Sequence, residues 1–236
     1  MLKINYFPTK EEATSKSGEA LNKILADGSD RATLLMLSGG SSFKILDSIS
    51  EENMSESLTV SMLDERFSQD QKINNFNQLQ ETEFYKTALS KDVNFFGTSP
   101  RNIDTSKSLQ ERWENNLHRW ADTNREGKII ATFGMGPDGH IAGIFPYPED
   151  KEKFKKLFLG ESWTVSYTTD KHQYAERLTT TPAFFQRIDS AIIFITGQEK
   201  KPAFDKLVSK SASIEELPAM LLHDLKNAEV FTDIKI

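Results

Sequence analysis

The sequence predicts an α/β fold with a doubly wound, mostly parallel sheet flanked by helices. Two observations lead to this prediction. Short apolar segments alternate with longer amphipathic segments along all 236 residues. The short segments are apolar at consecutive positions, which is typical of strands covered by helices on both faces. Since no repeat, low-complexity tract or linker interrupts the pattern, we expect residues 1–236 to form a single domain.

The elements follow from these patterns in chain order. Strands are predicted for segments 2–7, 32–37, 58–63, 129–133, 191–195 and 229–232. Helices are predicted for segments 10–26, closed by Gly28, and for 43–49, 75–89, 106–124, 200–209 and 217–225. Within the fourth helix, Leu109, Trp113, Leu117 and Trp120 recur at helical spacing. We assign this stripe to the core rather than to a cofactor site.

The composition excludes several classes of protein. The chain has 29 Lys+Arg, 35 Asp+Glu, a net charge of −6 and no cysteine. Disulfide scaffolds, thiolate metal sites and cysteine nucleophiles are therefore impossible. The acidic balance argues against nucleic acid and an anionic membrane as partners. The apolar runs are far shorter than the ~20 residues of a membrane helix, and no signal-peptide pattern is present, so we expect a cytoplasmic protein.

The first candidate for chemistry is Ser38-Gly39-Gly40-Ser41-Ser42, which follows the strand 32–37. In doubly wound sheets, ligands bind beyond the carboxyl ends of the strands. A glycine-rich turn between a strand and a helix presents backbone N–H groups suited to phosphate. Gly and Ser are also common in plain turns, so the local pattern leaves both interpretations open. The ending of a Walker A loop is missing.

The second candidate is Asp64-Glu65-Arg66, directly after the strand 58–63. Alone, this triplet is better explained as a surface turn. The functional alternative is an arginine fork that is held by the neighbouring carboxylates and points at an anion. Asn74, Asn75 and Asn77 follow within reach of the same rim.

Two further basic residues, Arg177 and Lys200, follow predicted strands or loops near strand ends. Isolated basic residues are usually solvated. If these two share the rim with the Ser-Gly-Gly turn, the cluster favours a small anionic ligand.

The third candidate is Gly134-Met135-Gly136-Pro137-Asp138-Gly139-His140, after the strand 129–133. Its glycines satisfy G-x-G-x-x-G, but we reject a dinucleotide site. Pro137 removes an N–H from the cradle, and Pro146 and Pro148 exclude the long helix that such a site requires. The loop instead presents Asp138 and His140. Imidazole suits general-base chemistry near neutral pH, and Asp138 could orient it or set its tautomer.

The remaining histidines are weaker candidates for chemistry. His118 falls in the helix of the Trp stripe, His172 in a charged loop and His223 in a late helix. We expect each of them to be structural or solvent-facing.

In series, these segments resemble the 6-phosphogluconolactonases, which form one sugar-phosphate fold group with the glucosamine-6-phosphate deaminases. The matching blocks occur in the family's order over nearly the whole chain. They are Ser38-Gly39-Gly40-Ser41, Leu63-Asp64-Glu65-Arg66, Gly134 to Ala142 with Phe145-Pro146, Arg177-Leu178-Thr179 and Gly197-Gln198-Glu199-Lys200. The block from Gly134 to Pro146 is the specific one.

Two positions separate the branches of this group. In the deaminases, a glutamate that assists ring opening precedes the closing proline, where this chain has Phe145. A deaminase is also expected to carry an aromatic residue in place of Arg66. Both differences favour a lactonase.

The chain departs from the lactonase pattern at three places. Ser42-Phe43 stands where Thr-Pro is usual, Gly143 where a serine is common, and Phe67-Ser68-Gln69 where Val-Pro often follows. The departures concern substrate affinity and the shape of the phosphate end of the site.

The resemblance implies hydrolysis of 6-phospho-D-glucono-1,5-lactone to 6-phosphogluconate in the oxidative pentose phosphate pathway, without a metal or organic cofactor. It implies that His140 activates water and that Asp138 positions the loop or the imidazole. Arg66, Arg177 and Lys200 would meet the phosphate or the developing oxyanion. Substrate contacts are also expected from Ser38, Gly39, Gly40, Ser41, Asp64 and Asn75.

The expected partner is therefore a small phosphorylated sugar lactone, and the chain is expected to be a monomer or small homo-oligomer. Two alternatives stay open. One is a deaminase-like aldose–ketose isomerase, and the other is a sugar-phosphate-binding regulator that has lost the chemistry.

Overall fold

The structure, a computed structural model, describes residues 2–27 and 30–235. Its strands are β1 Lys3–Tyr6, β2 Thr33–Leu37, β3 Leu58–Met62, β4 Asp64–Arg66, β5 Asn94–Phe96, β6 Lys128–Gly134, β7 Thr164–Thr168, β8 Glu176–Thr180, β9 Ser190–Ile195 and β10 Ala228–Thr232. Its α-helices are α1 Lys10–Ala26, α2 Asn75–Gln80, α3 Glu83–Ser90, α4 Ser106–Thr123, α5 Lys151–Phe158, α6 Pro182–Phe185 and α7 Lys201–Ser209. Shorter 3₁₀ segments span Gly40–Ser48, Glu51–Asn53, Gln198–Lys200 and Pro218–Asp224.

Within these residues, the main sheet has seven parallel strands in the order β1-β10-β9-β6-β2-β3-β5. The chain runs outward from β2 through β3 to β5. It then returns to β6, on the other side of β2, and continues outward to β9 and β10. The strand order therefore reverses between β2 and β6, as in a doubly wound sheet, and the predicted fold class is confirmed.

Helices cover both faces of this sheet because its central strands are apolar on both sides. Along β2, Leu34 and Met36 belong to one buried cluster, whereas Leu35 and Leu37 belong to the other. The first cluster lies under α4, α5, α7 and the second sheet, and the other lies under α1, α2, α3 and the 3₁₀ segment Gly40–Ser48. All four residues of the Trp stripe are buried, as predicted.

A second, smaller sheet was not predicted. It is antiparallel, with the order β4-β8-β7. Its first strand starts two residues after β3 ends, so the chain passes from the main sheet into the second sheet at Leu63. This change of sheet places Asp64-Glu65-Arg66 in a paired strand rather than in a surface turn.

Several predicted helices differ in detail. The segment predicted as one helix over 75–89 is two helices, because Thr82 adopts an extended conformation and its hydroxyl caps α3 by accepting from Tyr85 N at 3.2 Å. The segments 43–49 and 217–225 are 3₁₀ rather than α-helical, which periodicity over so few residues does not distinguish. Gly28, predicted to close α1, lies outside the described residues. Strand β5 and helices α5 and α6 were not predicted.

Among the described residues, none of the helices combines the length and the apolar character that crossing a membrane requires.

Candidate active site

The candidate site lies at the carboxyl ends of the central strands, where the strand order reverses. Leu37, Met62 and Thr132 are register partners at the ends of β2, β3 and β6. The segments that leave these strands therefore emerge at one edge of the sheet. At the switch point between β2 and β6, Gly134 N donates a hydrogen bond to Ser38 Oγ at 3.3 Å.

A cleft of about 240 Å³ opens at this edge. It is lined by the predicted residues Ser38, Gly39, Ser41, Asp64, Arg66, Asn75, His140, Arg177 and Lys200. It is also lined by Ser42, Gly134, Met135, Gly136, Pro137 and Ala142. Gly40 and Asp138 are the predicted site residues that do not line it. Segments from six different parts of the chain thus meet at one place.

The Ser-Gly-Gly turn is held by its own hydroxyl groups and by β6. Ser38 N donates to the Thr132 carbonyl oxygen at 3.1 Å. Ser42 Oγ donates to the carbonyl oxygens of Ser38 at 2.7 Å and Gly39 at 2.9 Å. Gly40 turns the chain with a φ of +70°, a left-handed value that favours glycine. The departure at Ser42 therefore contributes to the shape of this turn.

The two arginines come from directly opposed positions of the second sheet. Arg66 in β4 pairs with Arg177 in β8, and Asp64 pairs with Thr179. Opposed residues of an antiparallel pair lie on the same face, and residues two apart along a strand share that face. Asp64, Arg66 and Arg177 therefore all face the cleft. Two positive charges at directly opposed positions destabilise the fold, so stability by itself does not explain this pair of arginines.

The hydrogen bonds of the arginines leave donors available. Arg177 Nη2 donates to Asp64 Oδ2 at 2.8 Å, and both side chains are buried. Arg177 Nε and Nη1 are buried and have no hydrogen-bond partner in the described part of the chain. Arg66 Nε is in the same condition. These three N–H groups belong to residues that line the cleft, so they are available to donate to an acceptor there.

The arginine fork differs from the prediction in how it is held. Neither Asp64 nor Glu65 pairs with the Arg66 guanidinium. That group donates to the Ile73 carbonyl oxygen at 3.3 Å and lies 5.6 Å from the centroid of the Tyr174 ring. The carboxylate of Asp64 is directed to Arg177 instead, because its position on β4 is diagonal to Arg177 on β8.

His140 and Asp138 form the pair that their spacing predicts. His140 Nδ1 and Asp138 Oδ1 are 2.5 Å apart, and His140 N also donates to Asp138 Oδ1 at 3.2 Å. Burial raises the pKa of Asp138, but the hydrogen bond and charge of His140 outweigh it and hold that pKa below its usual value. Since Nδ1 is occupied by Asp138, Nε2 is the nitrogen available in the cleft. Asp138 itself lies behind the imidazole.

Lys200 completes the basic side of the cleft. Burial lowers the pKa of its ammonium group. Across residues 2–27 and 30–235, no carboxylate lies within salt-bridge distance of Lys200. In the same residues, no cluster of three or more His, Asp or Glu side chains is arranged to hold a metal ion.

With this geometry in place, comparison with known proteins assigns the family. A model described as glucosamine-6-phosphate isomerases/6-phosphogluconolactonase matches residues 8–231. The chain belongs to this family.

Curated relatives in the family are similar over part of the chain. A probable 6-phosphogluconolactonase of Dictyostelium discoideum is 26% identical over 170 residues, which is 72% of this chain and 69% of the relative. A 6-phosphogluconolactonase of Borreliella burgdorferi is 32% identical over 102 residues, 43% of this chain and 40% of the relative.

Solved structures of the family share the fold over nearly the full chain. A putative 6-phosphogluconolactonase from Neisseria gonorrhoeae has a TM-score of 0.79 at 20% identity, covering 98% of this chain and 99% of that one. The 6-phosphogluconolactonase from Plasmodium vivax has a TM-score of 0.78 at 17% identity, covering 98% and 90%. At these identities the likeness establishes a common fold.

Phe145, which distinguishes the two branches of the family, lies beside His140. Phe145 is 1% exposed, and its ring centroid is 4.7 Å from that of the imidazole. The Arg177 guanidinium carbon lies 5.5 Å from the centroid of the same ring. An apolar wall thus occupies the place where the deaminase branch of the family is expected to carry a carboxylate.

Sequence reasoning missed the loop between β7 and β8. His172, expected to be structural or solvent-facing, is half-buried with its ring centroid 5.9 Å from that of Phe145. Its Nδ1 accepts from Tyr174 N at 3.1 Å. The signal that could have found these residues is their position just before Arg177, in a hairpin that was not predicted.

The departure at Gly143 also has a local explanation. Gly143 N donates to Thr179 Oγ1 at 3.0 Å, and a Cβ atom on Gly143 would lie 2.9 Å from Thr179 Cβ. Residue 143 therefore cannot carry a side chain unless β8 moves. Gly143 does not line the cleft.

Proposed function

We propose that this chain is a 6-phosphogluconolactonase, which hydrolyses 6-phospho-D-glucono-1,5-lactone to 6-phosphogluconate. The family assignment and the printed names of the relatives support this substrate. The observation that carries the proposal is the cleft itself, where an imidazole oriented by Asp138 lies beside the unpartnered N–H groups of Arg66 and Arg177.

In this proposal His140 is the general base. Its Nε2 removes a proton from a water molecule, whose oxygen attacks the carbonyl carbon C1 of the lactone. The tetrahedral intermediate collapses by breaking the bond between C1 and the ring oxygen. The imidazolium returns its proton to that leaving oxygen, which becomes the C5 hydroxyl group. Asp138 accepts a hydrogen bond from Nδ1–H and thereby keeps Nε2 available for the proton transfer.

Positive charge in the cleft serves the phosphate and the oxyanion. Arg66, Arg177 and Lys200 supply charged donors, and the turn from Ser38 to Ser42 adds N–H and hydroxyl groups. Donors that are fixed before the substrate arrives stabilise developing negative charge without reorganisation. The ion pair with Asp64 fixes Arg177 in this sense.

Phe145 supports the lactonase reaction over deamination. Deamination of an amino sugar requires ring opening and proton transfer at carbon, for which the family's deaminase branch uses a glutamate beside the histidine. A buried phenylalanine supplies no proton acceptor there. Lactone hydrolysis needs only one base, and His140 is that base.

The proposal predicts the effect of His140→Ala. We expect kcat to fall about 10²–10⁴-fold, the usual contribution of general-base catalysis. Because the His140 side chain is 28% exposed and carries no core packing role beyond Phe145, thermal stability should change little. The measurement follows 6-phosphogluconate formation from freshly prepared lactone, with His118→Ala on α4 as a matched control.

Reactions without enzyme are essential because the lactone also opens in water. Wild-type protein that gives no acceleration over this blank would contradict the lactonase and favour a sugar-phosphate-binding regulator. Ammonia release from glucosamine 6-phosphate would favour the deaminase branch. Near-wild-type turnover by His140→Ala would remove His140 from the role of base.

A further inference from the structure

Glu65, between the two cleft-facing residues of β4, points away from the cleft. Asp64 and Arg66 face the cleft, so the alternation of the strand directs Glu65 to the opposite side, where it pairs in register with Leu178. Its exposure is 0%. A fully buried carboxyl group is costly, and nothing in the proposed reaction uses it.

In every one of its hydrogen bonds, the carboxyl group of Glu65 is the acceptor. Oε1 accepts from Arg66 N at 2.8 Å and from Asn75 N at 2.5 Å. Oε2 accepts from Phe76 N at 2.9 Å and from Thr98 Oγ1 at 2.8 Å. Three of these partners are backbone N–H groups, which cannot reverse their role. The site therefore fits an ionised carboxylate with both oxygens acting as acceptors.

The burial and the hydrogen bonds of Glu65 act on its pKa in opposite directions. Burial raises the pKa to about 7, even though hydrogen bonds from Phe76, Thr98, Asn75 and Arg66 lower it. Within the described residues, no Lys or Arg side chain lies within salt-bridge distance of Glu65. Its charge is thus compensated by hydrogen bonds rather than by a cation.

These bonds join the two ends of one loop. Arg66 N and Asn75 N bind the same oxygen, so Glu65 closes the loop between β4 and α2. Within that loop, Arg66 Nη1 donates to the Ile73 carbonyl oxygen, and Asn74 Nδ2 donates to the Arg66 carbonyl oxygen at 2.7 Å. The direction of the Arg66 guanidinium consequently depends on the loop being closed.

The same carboxylate places Asn75 against the Ser-Gly-Gly turn. Asn75 Oδ1 is buried without a hydrogen-bond partner among the described residues. It lies so near Gly39 that a Cβ atom there would be 2.2 Å from it. The backbone of Asn75 is held by Glu65, and its side-chain Nδ2 donates to the Asp64 carbonyl oxygen at 3.0 Å. Asn75 thus presents an acceptor at the floor of the cleft.

We propose that Glu65 is a positioning residue, whose buried carboxylate closes the loop from Arg66 to Asn75 and thereby sets both side chains for the phosphorylated substrate. The proposal rests on the proposed function for its substrate. The proposal assigns to the middle residue of Asp-Glu-Arg a role that neither neighbour performs. Glu65 acts through Arg66 and Asn75 rather than on the reacting atoms.

The test is a double-mutant cycle with Glu65→Gln and Arg66→Ala. The NH₂ group of a glutamine would face N–H donors, and this clash would open the loop and displace Arg66. We therefore expect Glu65→Gln to lower kcat/KM by roughly 10²-fold, the effect of misplacing a binding group by about 1 Å. In the Arg66→Ala background, the same change should lower kcat/KM by a clearly smaller factor, since one of the two side chains that Glu65 positions is already gone. A structural role alone would lower kcat/KM by the same factor in both backgrounds, and that result would overturn the proposal.

Two further variants separate positioning from loss of folding. Thr98→Val removes one of the four donors at constant shape and should give a smaller loss of kcat/KM, which should again be reduced in the Arg66→Ala background. Ser61→Ala is the matched control. Ser61 is 0% exposed, accepts from Trp113 Nε1 at 3.1 Å and donates to the Phe96 carbonyl oxygen at 2.9 Å, away from the cleft. We expect Ser61→Ala to lower thermal stability and leave kcat/KM unchanged. Circular dichroism at the assay temperature verifies that every variant is folded.

The failure of this inference is distinguishable from the failure of the proposed function. If the wild-type protein does not hydrolyse the lactone, the cycle is repeated with the dissociation constant of inorganic phosphate, measured by calorimetry. Weaker phosphate binding in Glu65→Gln, dependent on Arg66, supports the positioning role without any lactonase activity. Equal loss in both backgrounds contradicts it there too.

Discussion

The imidazole of His140 rests on backbone that leaves no room for a side chain. A Cβ atom on Gly136 would lie 2.2 Å from both Cε1 and Nδ1 of His140 and 2.6 Å from Asp138 Oδ1. Gly136 N also donates to the His140 carbonyl oxygen at 2.9 Å, which closes the turn beneath the ring. Gly136, one of the glycines that matches the dinucleotide-binding pattern in the sequence, therefore leaves the space that the His140 ring occupies.

Gly136→Ala is expected to displace the imidazole and to lower kcat by roughly 10²-fold, with a smaller change in KM. The reason is that the added methyl group occupies the position of the ring. Steady-state kinetics on the lactone measures this effect. Gly160→Ala is the control, because a Cβ atom there meets nothing within 4 Å. Unchanged kcat in Gly136→Ala would show that the backbone does not set the imidazole.

Burial and the charges of the cleft residues lower the pKa of His172, although this residue does not line the cleft. Burial lowers its pKa below 6.5, and the positive charges of Arg177, Arg66 and His140 lower it further, while Asp138 opposes them. As pH falls through 6.5, the unfolded chain binds a proton at this position and the folded chain does not. The contribution of His172 therefore makes the folded state less stable as pH falls below 6.5.

The variant His172→Gln removes this contribution. We expect its free energy of unfolding to decrease less than that of wild type between about pH 6.5 and 5.5. Urea denaturation at a series of pH values measures the difference. Parallel curves for the two proteins would show that His172 has the same proton affinity in the folded and unfolded chains.

At the scale of elements, the antiparallel pair of β4 and β8 assembles the two arginines of the proposed anion site. The pair brings together residues 66 and 177, which are far apart in the sequence, and aligns their side chains on one face. Only Arg177 is then neutralised by a carboxylate. The two arginines consequently differ in what they contribute to folding, although both face the same cleft.

The arginine variants should separate stability from binding. Arg177→Ala leaves the buried Asp64 carboxylate without its partner, so it should cost about 3–5 kcal/mol of unfolding free energy. Arg66→Ala removes a side chain with one carbonyl hydrogen bond and should cost about 1 kcal/mol or less. Urea denaturation gives both values, and KM for the lactone should rise in each. Equal destabilisation by the two variants would contradict this distinction.

At the scale of the whole molecule, the charge of the cleft is opposite to that of the chain. The net charge is −6, yet Arg66, Arg177 and Lys200 line one cleft. A small anion can enter such a site, whereas a long polyanion would also meet the acidic surface. The net charge of the chain therefore does not exclude a small anionic ligand at this cleft.

Inorganic phosphate should raise the melting temperature of the protein, because a ligand that binds only the folded state stabilises it by mass action. The gain is about 2.7 kcal/mol at a phosphate concentration of 100 times Kd. Thermal unfolding measures the shift, with sodium chloride at matched ionic strength as the control for screening. Arg66→Ala should reduce the shift. Equal shifts with chloride and phosphate would argue against a phosphate site.

Most of the main sheet follows from local sequence. Segments such as 32–37 and 129–133 are apolar at every position but one, Thr33 and Thr132 respectively, so apolar residues fall on both faces, a pattern typical of strands buried on both sides. The Trp stripe of α4 likewise requires a buried helix face. The second sheet could not be predicted in this way, because β4 has only three residues and its partner β8 lies more than 100 residues away.

The residues of the candidate site likewise fall into those that local sequence predicts and those that it does not. Ser38, Asp64, Arg66 and His140 are visible in the sequence because each follows a predicted strand, and parallel strands end at one edge. His172 and Tyr174 carry no such signal, and Glu65 shares the position of Asp64 and Arg66 after a strand without any sign of its separate role. The importance of Glu65 depends on donors from α2 and from the loop after β5, which periodicity does not reveal.

The sequence by itself determined the parallel sheet, the sheet edge where the cleft lies and the pair of His140 and Asp138, because these depend on local pattern and on neighbours two residues apart. Only the tertiary structure decided which carboxylate pairs with which arginine and which buried acid holds the loop. Those choices depend on register between distant strands. A shift of one residue in β4 would turn Glu65 toward the cleft and direct Arg66 away from it.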